Sequence, residues 1–275
     1  MKIWFNSLKL PAHIAKDIKP MGLQNADLFH TVMQLRGEIF RQMPGRCTSK
    51  IKLGEQYYFL KQHFGVGWKE IFKNFITFKL PIIGARTEMI AIEALQLIGI
   101  QTTPFVAFGE RGLNPATKKS FLMTKDLGDI ISLEDICKDW LHKAPSLKFK
   151  RQLIRKVAHM AGNMHAHGLN HRDFYICHIC MHQSAFATED FQLFLIDLHR
   201  MGVRKKISNT HRLKDLAALH FSSLHCGLSK KDYMCFLSIY QRYCTMPLPS
   251  TFWQKVNARA KYLYARYMKY VDRKW

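Results

Sequence analysis

The chain has 275 residues, 48% hydrophobic and 12% aromatic, enough apolar mass for one large domain or two lobes and too much for a disordered tail. Forty-two Lys and Arg against 20 Asp and Glu give a net charge of +22, so an anionic partner is expected: nucleic acid, an anionic membrane surface or a phosphorylated substrate. No run of 18 apolar residues occurs, which argues against a membrane-spanning helix, and seven cysteines fit free thiols of a reducing compartment better than a disulfide framework.

The opening MKIWFNSLKLPAHIAKDIKP has no uninterrupted apolar core and no small-residue cleavage site, so it reads as mature sequence of a cytoplasmic protein. TSKIKLGEQYYFLKQH (48–63) alternates on both sides of a Gly-Glu turn, the pattern of a β-hairpin. GARTEMIAIEALQLIGI (84–100) changes to helical spacing and stops at Gly99. TPFVAFGERG and KKSFLMTKDL follow as two further strands.

Beyond about residue 130 the pattern is mainly helical. In RQLIRKVAHMAGNMHAHG (151–168), Leu153, Ile154, Val157, Ala158, Ala161 and Met164 form one stripe that ends at Gly168. Residues 178–181 and 191–197 read as short strands, and 211–224 and 252–274 as helices. The expected fold class is α+β, with a small β-rich lobe over 1–125, including an N-terminal extension, and a larger helical lobe over 126–275.

Phosphoryl transfer needs few protein groups: a strand lysine for nucleotide phosphates, a helix glutamate to hold it, a loop aspartate for the attacking hydroxyl and a second aspartate for Mg²⁺. Candidates occur in that order. Lys61 closes the second hairpin strand, and Glu88 sits early in the next helix. Glu93 is the rival; five residues on, it lies about 140° around the helix, so only one of the two can face Lys61. Ile92 and Leu95 share the side of Glu88, which favours it. Asp173, in His171-Arg172-Asp173, follows the Gly168 stop, and Asp197 ends the apolar run LFLID, where a metal ion would compensate its charge.

On these residues the chain resembles the protein-kinase-like fold. More narrowly, GRCTSKIKL, YYFLKQHFGVGWKEIFKN, GARTEMIAIEAL, GIQTTPFVAFGERG, MHAHGLNHRDFYICHI, LFLIDLHR and RLKDLAAL resemble the lipopolysaccharide core heptose(I) kinases of Gram-negative bacteria. The resemblance implies a bilobal kinase that uses ATP and Mg²⁺ to phosphorylate a heptose of the lipopolysaccharide inner core. Lys61 would contact the α/β-phosphates and pair with Glu88. Met123, Thr124, Lys125 and Asp126 would form a hinge binding adenine through the backbone. Asp173 would face the sugar hydroxyl, Asp197 would be the principal Mg²⁺ ligand, and Asp215 would brace the catalytic loop. A lipopolysaccharide core acceptor and the anionic cytoplasmic face of the inner membrane are the implied partners. No nucleic-acid partner is expected, because no RNP, KH or helix-turn-helix signature is present, and no specific protein partner follows.

Three features depart from the broad kinase pattern. No G-x-G-x-x-G precedes Lys61, so Arg46, Thr48 and Ser49 are expected to make phosphate contacts in place of glycine amides. His178 stands where an asparagine is expected, which makes it a candidate metal ligand, though softer than Mg²⁺ prefers. Asp197 is followed by Leu198-His199, and no A-P-E motif follows. A kinase with another acceptor (Kdo, an aminoglycoside or a protein tyrosine), a basic nucleic-acid-binding module and a pseudokinase scaffold remain as alternatives. Cys177, His178, Cys180 and His182 also suggest zinc, but an extended segment would send the two cysteines to opposite faces, and burial explains both. The last segment, 251–275, carries seven Lys/Arg against one acid and reads as a docked helix whose basic face suits anionic lipid. FGVGWKEIFKN is expected to position substrate or pack a lobe.

Overall fold

The computed structural model describes residues 7–19, 27–68, 71–72, 84–186 and 190–272; part of FGVGWKEIFKN and the basic residues 273 and 274 lie outside them. The chain forms two compact units, Met1–Glu93 with Thr103–Leu127 and Ala94–Thr102 with Gly128–Trp275.

In chain order the first stretch gives β1 (Ser7–Lys9), α1 (Ala12–Ile18), α2 (Leu28–Gln34), β2 (Glu38–Met43), β3 (Arg46–Leu53) and β4 (Gln56–His63). Then come α3 (Arg86–Leu97), β5 (Gln101–Thr102), β6 (Phe105–Arg111) and β7 (Lys119–Lys125). The first unit is built on a six-stranded sheet in the order β1-β6-β7-β4-β3-β2. The β3–β4 hairpin turns at Gly54, whose φ of 58° suits a residue without a side chain.

The pleat of this sheet sorts its side chains into two sets. Directly opposed residues in an antiparallel ladder share a face, and neighbours along a strand alternate. Ser49, Ile51, Tyr58, Leu60, Phe121 and Met123 therefore share one face. Ile14, Ile18, Phe29 and Val32 of the N-terminal helices pack into the core that Ile51, Tyr58, Leu60, Phe121 and Met123 form there. Gln62 points the same way and donates to the Val32 carbonyl at 2.9 Å. Arg46, Thr48, Lys61, Ser120 and Thr124 occupy the other face.

That second face receives α3. Ala85 N–H donates to Ser120 Oγ at 3.0 Å. Arg86 reaches Glu110 at 2.7 Å, and Lys118 reaches the same carboxylate at 2.9 Å. Burial pushes the Glu110 carboxyl up, but its hydrogen bonds to Arg86 and Lys118 outweigh that and hold it below the ordinary value. A buried carboxylate with two cations thus fixes the start of the helix.

The second unit contains β8 (Ile130–Ser132), α4 (Leu133–Cys137), α5 (Leu147–Ala166), β9 (Leu169–Asn170), β10 (Ile179–His182), β11 (Phe194–Leu195) and β12 (Gly202–Val203). It closes with α6 (Asn209–Ser222), α7 (Lys230–Gln241) and α8 (Ser250–Asp272). Helix α5 packs on α7, and α6 on α8. Two small sheets accompany them, β5-β11-β10-β8 and β12-β9.

Residues 94–102 belong with this unit through specific bonds. β5 pairs in parallel with β11, Thr102 Oγ1 donates to the Leu195 carbonyl at 2.6 Å, and Asn163 donates to the Ile98 carbonyl at 2.8 Å. Helix α5 starts earlier than its apolar stripe suggests, because Ser146 caps it by accepting the Phe149 N–H at 3.1 Å. The run 191–197, expected as one strand, contributes only Phe194 and Leu195 to a ladder.

Candidate active site

Each unit carries part of the expected set. In the first, Lys61 Nζ lies 2.5 Å from Glu88 Oε1, and Glu88 is buried. Glu93 instead meets Lys9 at 2.5 Å, with both side chains well exposed at 40% and 51%. The anchored first turn of α3 sets Glu88 over the strand, and five further residues rotate Glu93 away.

Arg46 and Thr48 lie on the Lys61 face, with Thr48 directly opposite Lys61 in the ladder. Ser49 does not. The two-residue period of β3 turns it to the opposite face, where it is buried and its hydroxyl has no hydrogen-bond partner. The expectation that Ser49 joins a phosphate cradle is therefore corrected.

Met123 and Thr124 lie inside β7, both buried. The Lys125 N–H donates to the Pro104 carbonyl at 2.9 Å, and the Asp126 N–H to the Tyr57 carbonyl at 3.1 Å. Two amides of the expected hinge are thus engaged by their own unit. The Asp126 carboxylate pairs with Lys50 at 2.6 Å, and this hydrogen bond raises the lysine pKa.

In the second unit the loop after β9 is held from below by Asp215 of α6. The Asp215 carboxylate is fully buried and accepts the His171 N–H at 2.7 Å and the Arg172 N–H at 2.9 Å. His165 Nε2 lies 3.3 Å from the same group. His171 Nε2 donates to the Ile196 carbonyl at 2.9 Å, which ties the loop to the residue preceding Asp197. Among the described residues, Arg172 (φ 73°) and Asp197 (φ 61°) are the non-glycines with positive φ. Backbone strain thus sits beside Asp173 and at Asp197 itself, a distribution common at functional sites.

Asp173 meets a residue that sequence reasoning missed. Arg200 Nη1 lies 2.9 Å from Asp173 Oδ1 and 3.0 Å from Oδ2. The only signal for it was a basic residue three positions after Asp197. His178 Nδ1 donates to the Asp173 carbonyl at 2.7 Å, and its Nε2 stands 3.5 Å from Asp197 Oδ2. Burial pushes the His178 pKa down, but Cys177, the Asp173 carbonyl and the Asp197 carboxylate outweigh it and lift it to about 9. His199 Nδ1 bonds the other Asp197 oxygen.

The donor set decides which ion fits. Asp197 supplies one carboxylate, and no group of three His, Cys, Asp or Glu that could hold a metal comes together among the described residues. That suits Mg²⁺, which takes most ligands from water and phosphate oxygens, and does not suit structural zinc, which requires four protein ligands. Cys180 is buried in β10, and that burial raises its pKa to about 12.

Residues 30–240 match the lipopolysaccharide kinase (Kdo/WaaP) family. The chain is 44% identical over 215 residues to the lipopolysaccharide core heptose(I) kinase WaaP of Escherichia coli (strain K12), an alignment covering 78% of this chain and 81% of that protein. It is 44% identical over 217 residues to the protein of the same name from Pseudomonas aeruginosa, with the same shares covered. A solved structure of WaaP in complex with acyl carrier protein is similar with a TM-score of 0.77 at 34% identity, over 94% of this chain and 99% of that one.

Proposed function

We infer that this chain, which belongs to the lipopolysaccharide kinase (Kdo/WaaP) family, is a lipopolysaccharide core heptose(I) kinase that moves the γ-phosphoryl group of ATP to a heptose hydroxyl. The observation that carries the reading is that Lys61, Glu88, Asp173 and Asp197 all fall within the matched span 30–240, each on the type of element the chemistry requires.

Lys61, oriented by Glu88, binds nucleotide phosphates, and Arg46 on the same sheet face adds a second cation. The Met123–Asp126 segment is assigned to adenine. Asp173 orients the acceptor hydroxyl and takes its proton as the phosphoryl group arrives, while Arg200 keeps the carboxylate aimed. Asp197 holds Mg²⁺, which when bound neutralises charge on the phosphates. His199 steadies the Asp197 carboxylate by a hydrogen bond, and His178 stands 3.5 Å from its other oxygen as the second candidate metal ligand.

Truncated core lipopolysaccharide incubated with enzyme and ATP is expected to gain one phosphate by mass spectrometry. Asp173→Asn should lower turnover by about 1000-fold or more with ATP affinity nearly unchanged. A variant retaining most of its activity would remove Asp173 from this role.

We also propose acyl carrier protein as a partner of this chain. The second unit contains a cavity of about 520 Å³ lined by apolar side chains that include Leu133, Trp140, Ile154, Phe236 and Trp253. Its size and lining suit an acyl chain delivered by such a carrier. Addition of acylated carrier protein should raise the melting temperature, and the unacylated form should not.

A further inference from the structure

Building on the kinase reading, we propose that Arg172, Arg200 and Arg204 form an anion-binding cluster that holds a carboxylate or phosphate group of the acceptor beside the hydroxyl presented to Asp173.

The cluster is assembled by the short β9–β12 ladder. Gly202 pairs with Asn170 and Val203 with Leu169, and the Arg204 N–H donates to the Gly168 carbonyl at 3.1 Å. These bonds lay residues 200–204 along residues 168–173. Arg204 Nη1 then reaches Asn170 Oδ1 at 2.6 Å, while Arg200 reaches Asp173. The approach is close: a Cβ added to Gly202 would lie 2.1 Å from Arg204 Nη1.

The counter-charges do not match the cations. Arg204 bonds a neutral amide. Arg172 is half-buried, and its guanidinium has no hydrogen-bond or ion-pair partner among the described residues. Asp215, the other carboxylate nearby, directs both oxygens at backbone N–H groups. Three guanidiniums therefore share one paired carboxylate, that of Asp173. Burial first, then Arg204 and Arg200, depress the Arg172 pKa, as expected of cations crowded without an anion. Burial, Arg204, Arg172 and Lys214 depress that of His211 in the same way.

Chemistry selects the ligand. The planar fork of arginine matches carboxylate and phosphate oxygens, and a partly desolvated cluster favours such an anion over water. The nucleotide phosphates are already assigned to Lys61 and Arg46. Arg172 and Arg200 flank Asp173, in sequence and by direct bond, so the anion belongs to the group that Asp173 handles.

The test is steady-state kinetics of the full chain on core acceptor. Arg172→Gln and Arg204→Gln are expected to raise the acceptor KM about tenfold or more while the ATP KM stays within about twofold. Arg172→Lys and Arg204→Lys should recover much of the loss, because they restore charge without the fork. Amidation of acceptor carboxylates should give wild type the same KM increase if a carboxylate is recognised, and phosphatase treatment should do so if a phosphate is. The matching treatment should add nothing to the Gln variants. Gln variants with an acceptor KM within about twofold of wild type, or failure of both treatments to change it, overturn the cluster. A wild type that phosphorylates no core acceptor overturns the kinase reading as well, which is a separate result.

Discussion

Lys61 approaches one of two glutamates on the same helix, and the difference is measurable. Glu88 is buried against the lysine, so Glu88→Gln should lower kcat/KM on the order of 100-fold by releasing a group that binds phosphates. Glu93→Gln removes only an exposed pair with Lys9, worth at most about 1 kcal/mol, and should leave kinetics unchanged. Equal losses in both variants would contradict the assignment. The choice was legible in the sequence because α3 carries its apolar residues on the side of Glu88. The Arg200–Asp173 contact was not legible, since nothing in a single basic residue records a partner 27 positions away.

Two buried imidazoles below the loop give a pH prediction at the same scale. Burial lowers the pKa of His165, with Asp215 opposing, and burial likewise lowers that of His171. Both rings are neutral when folded and take up protons on unfolding below the ordinary imidazole value of about 6.5. Their contribution to stability is therefore complete above that pH and is lost as pH falls below it, by at most about 1.4 kcal/mol per unit for each ring. Denaturant unfolding at about pH 7.5 and about pH 5 should show the decline, and His165→Gln should flatten part of it.

At the scale of elements, the β9–β12 clamp is small and decisive. Gly168 has φ 79°, and a Cβ there would lie 1.9 Å from the Arg204 carbonyl oxygen. Gly168→Ala must therefore both strain the backbone and push the clamp open. We expect a loss of about 2 kcal/mol or more in unfolding free energy and a larger loss of activity, because the loop carrying Asp173 starts at β9. Calorimetry and kinetics on the same sample would check both. The sequence flagged this glycine only as a helix stop; its second role arises from a strand more than thirty residues later. The 48–63 hairpin was readable because its alternation is local. The α1–α2 pair was not, because short helices with few apolar positions have a weak period, and their stability comes from the sheet face they cover. The run 191–197 misled because an apolar segment can be buried by packing without joining a ladder.

For the molecule as a whole the dominant fact is the charge of +22, and α8 shows how part of it is displayed. Phe252, Val256 and Ala260 of that helix are buried, whereas Lys255, Lys261, Arg266 and Lys269 are exposed along with Tyr262, Tyr267 and Tyr270. Its later turns thus combine cations with amphipathic rings, the composition that suits a membrane–water interface. No helix among the described residues is long and apolar enough to cross a membrane, so any association through α8 must be peripheral. Each such cation is worth about 1 kcal/mol near an anionic leaflet, and added salt screens it. We therefore expect the enzyme to sediment with vesicles containing anionic lipid at about 0.05 M salt and to be released by about 0.5 M, with little binding to neutral vesicles. Replacing Lys261, Arg266 and Lys269 by Gln should reduce vesicle binding without changing the melting temperature, because none of the three is buried. Binding that survives high salt, or that is indifferent to lipid charge, would show that the excess of lysine and arginine has another use.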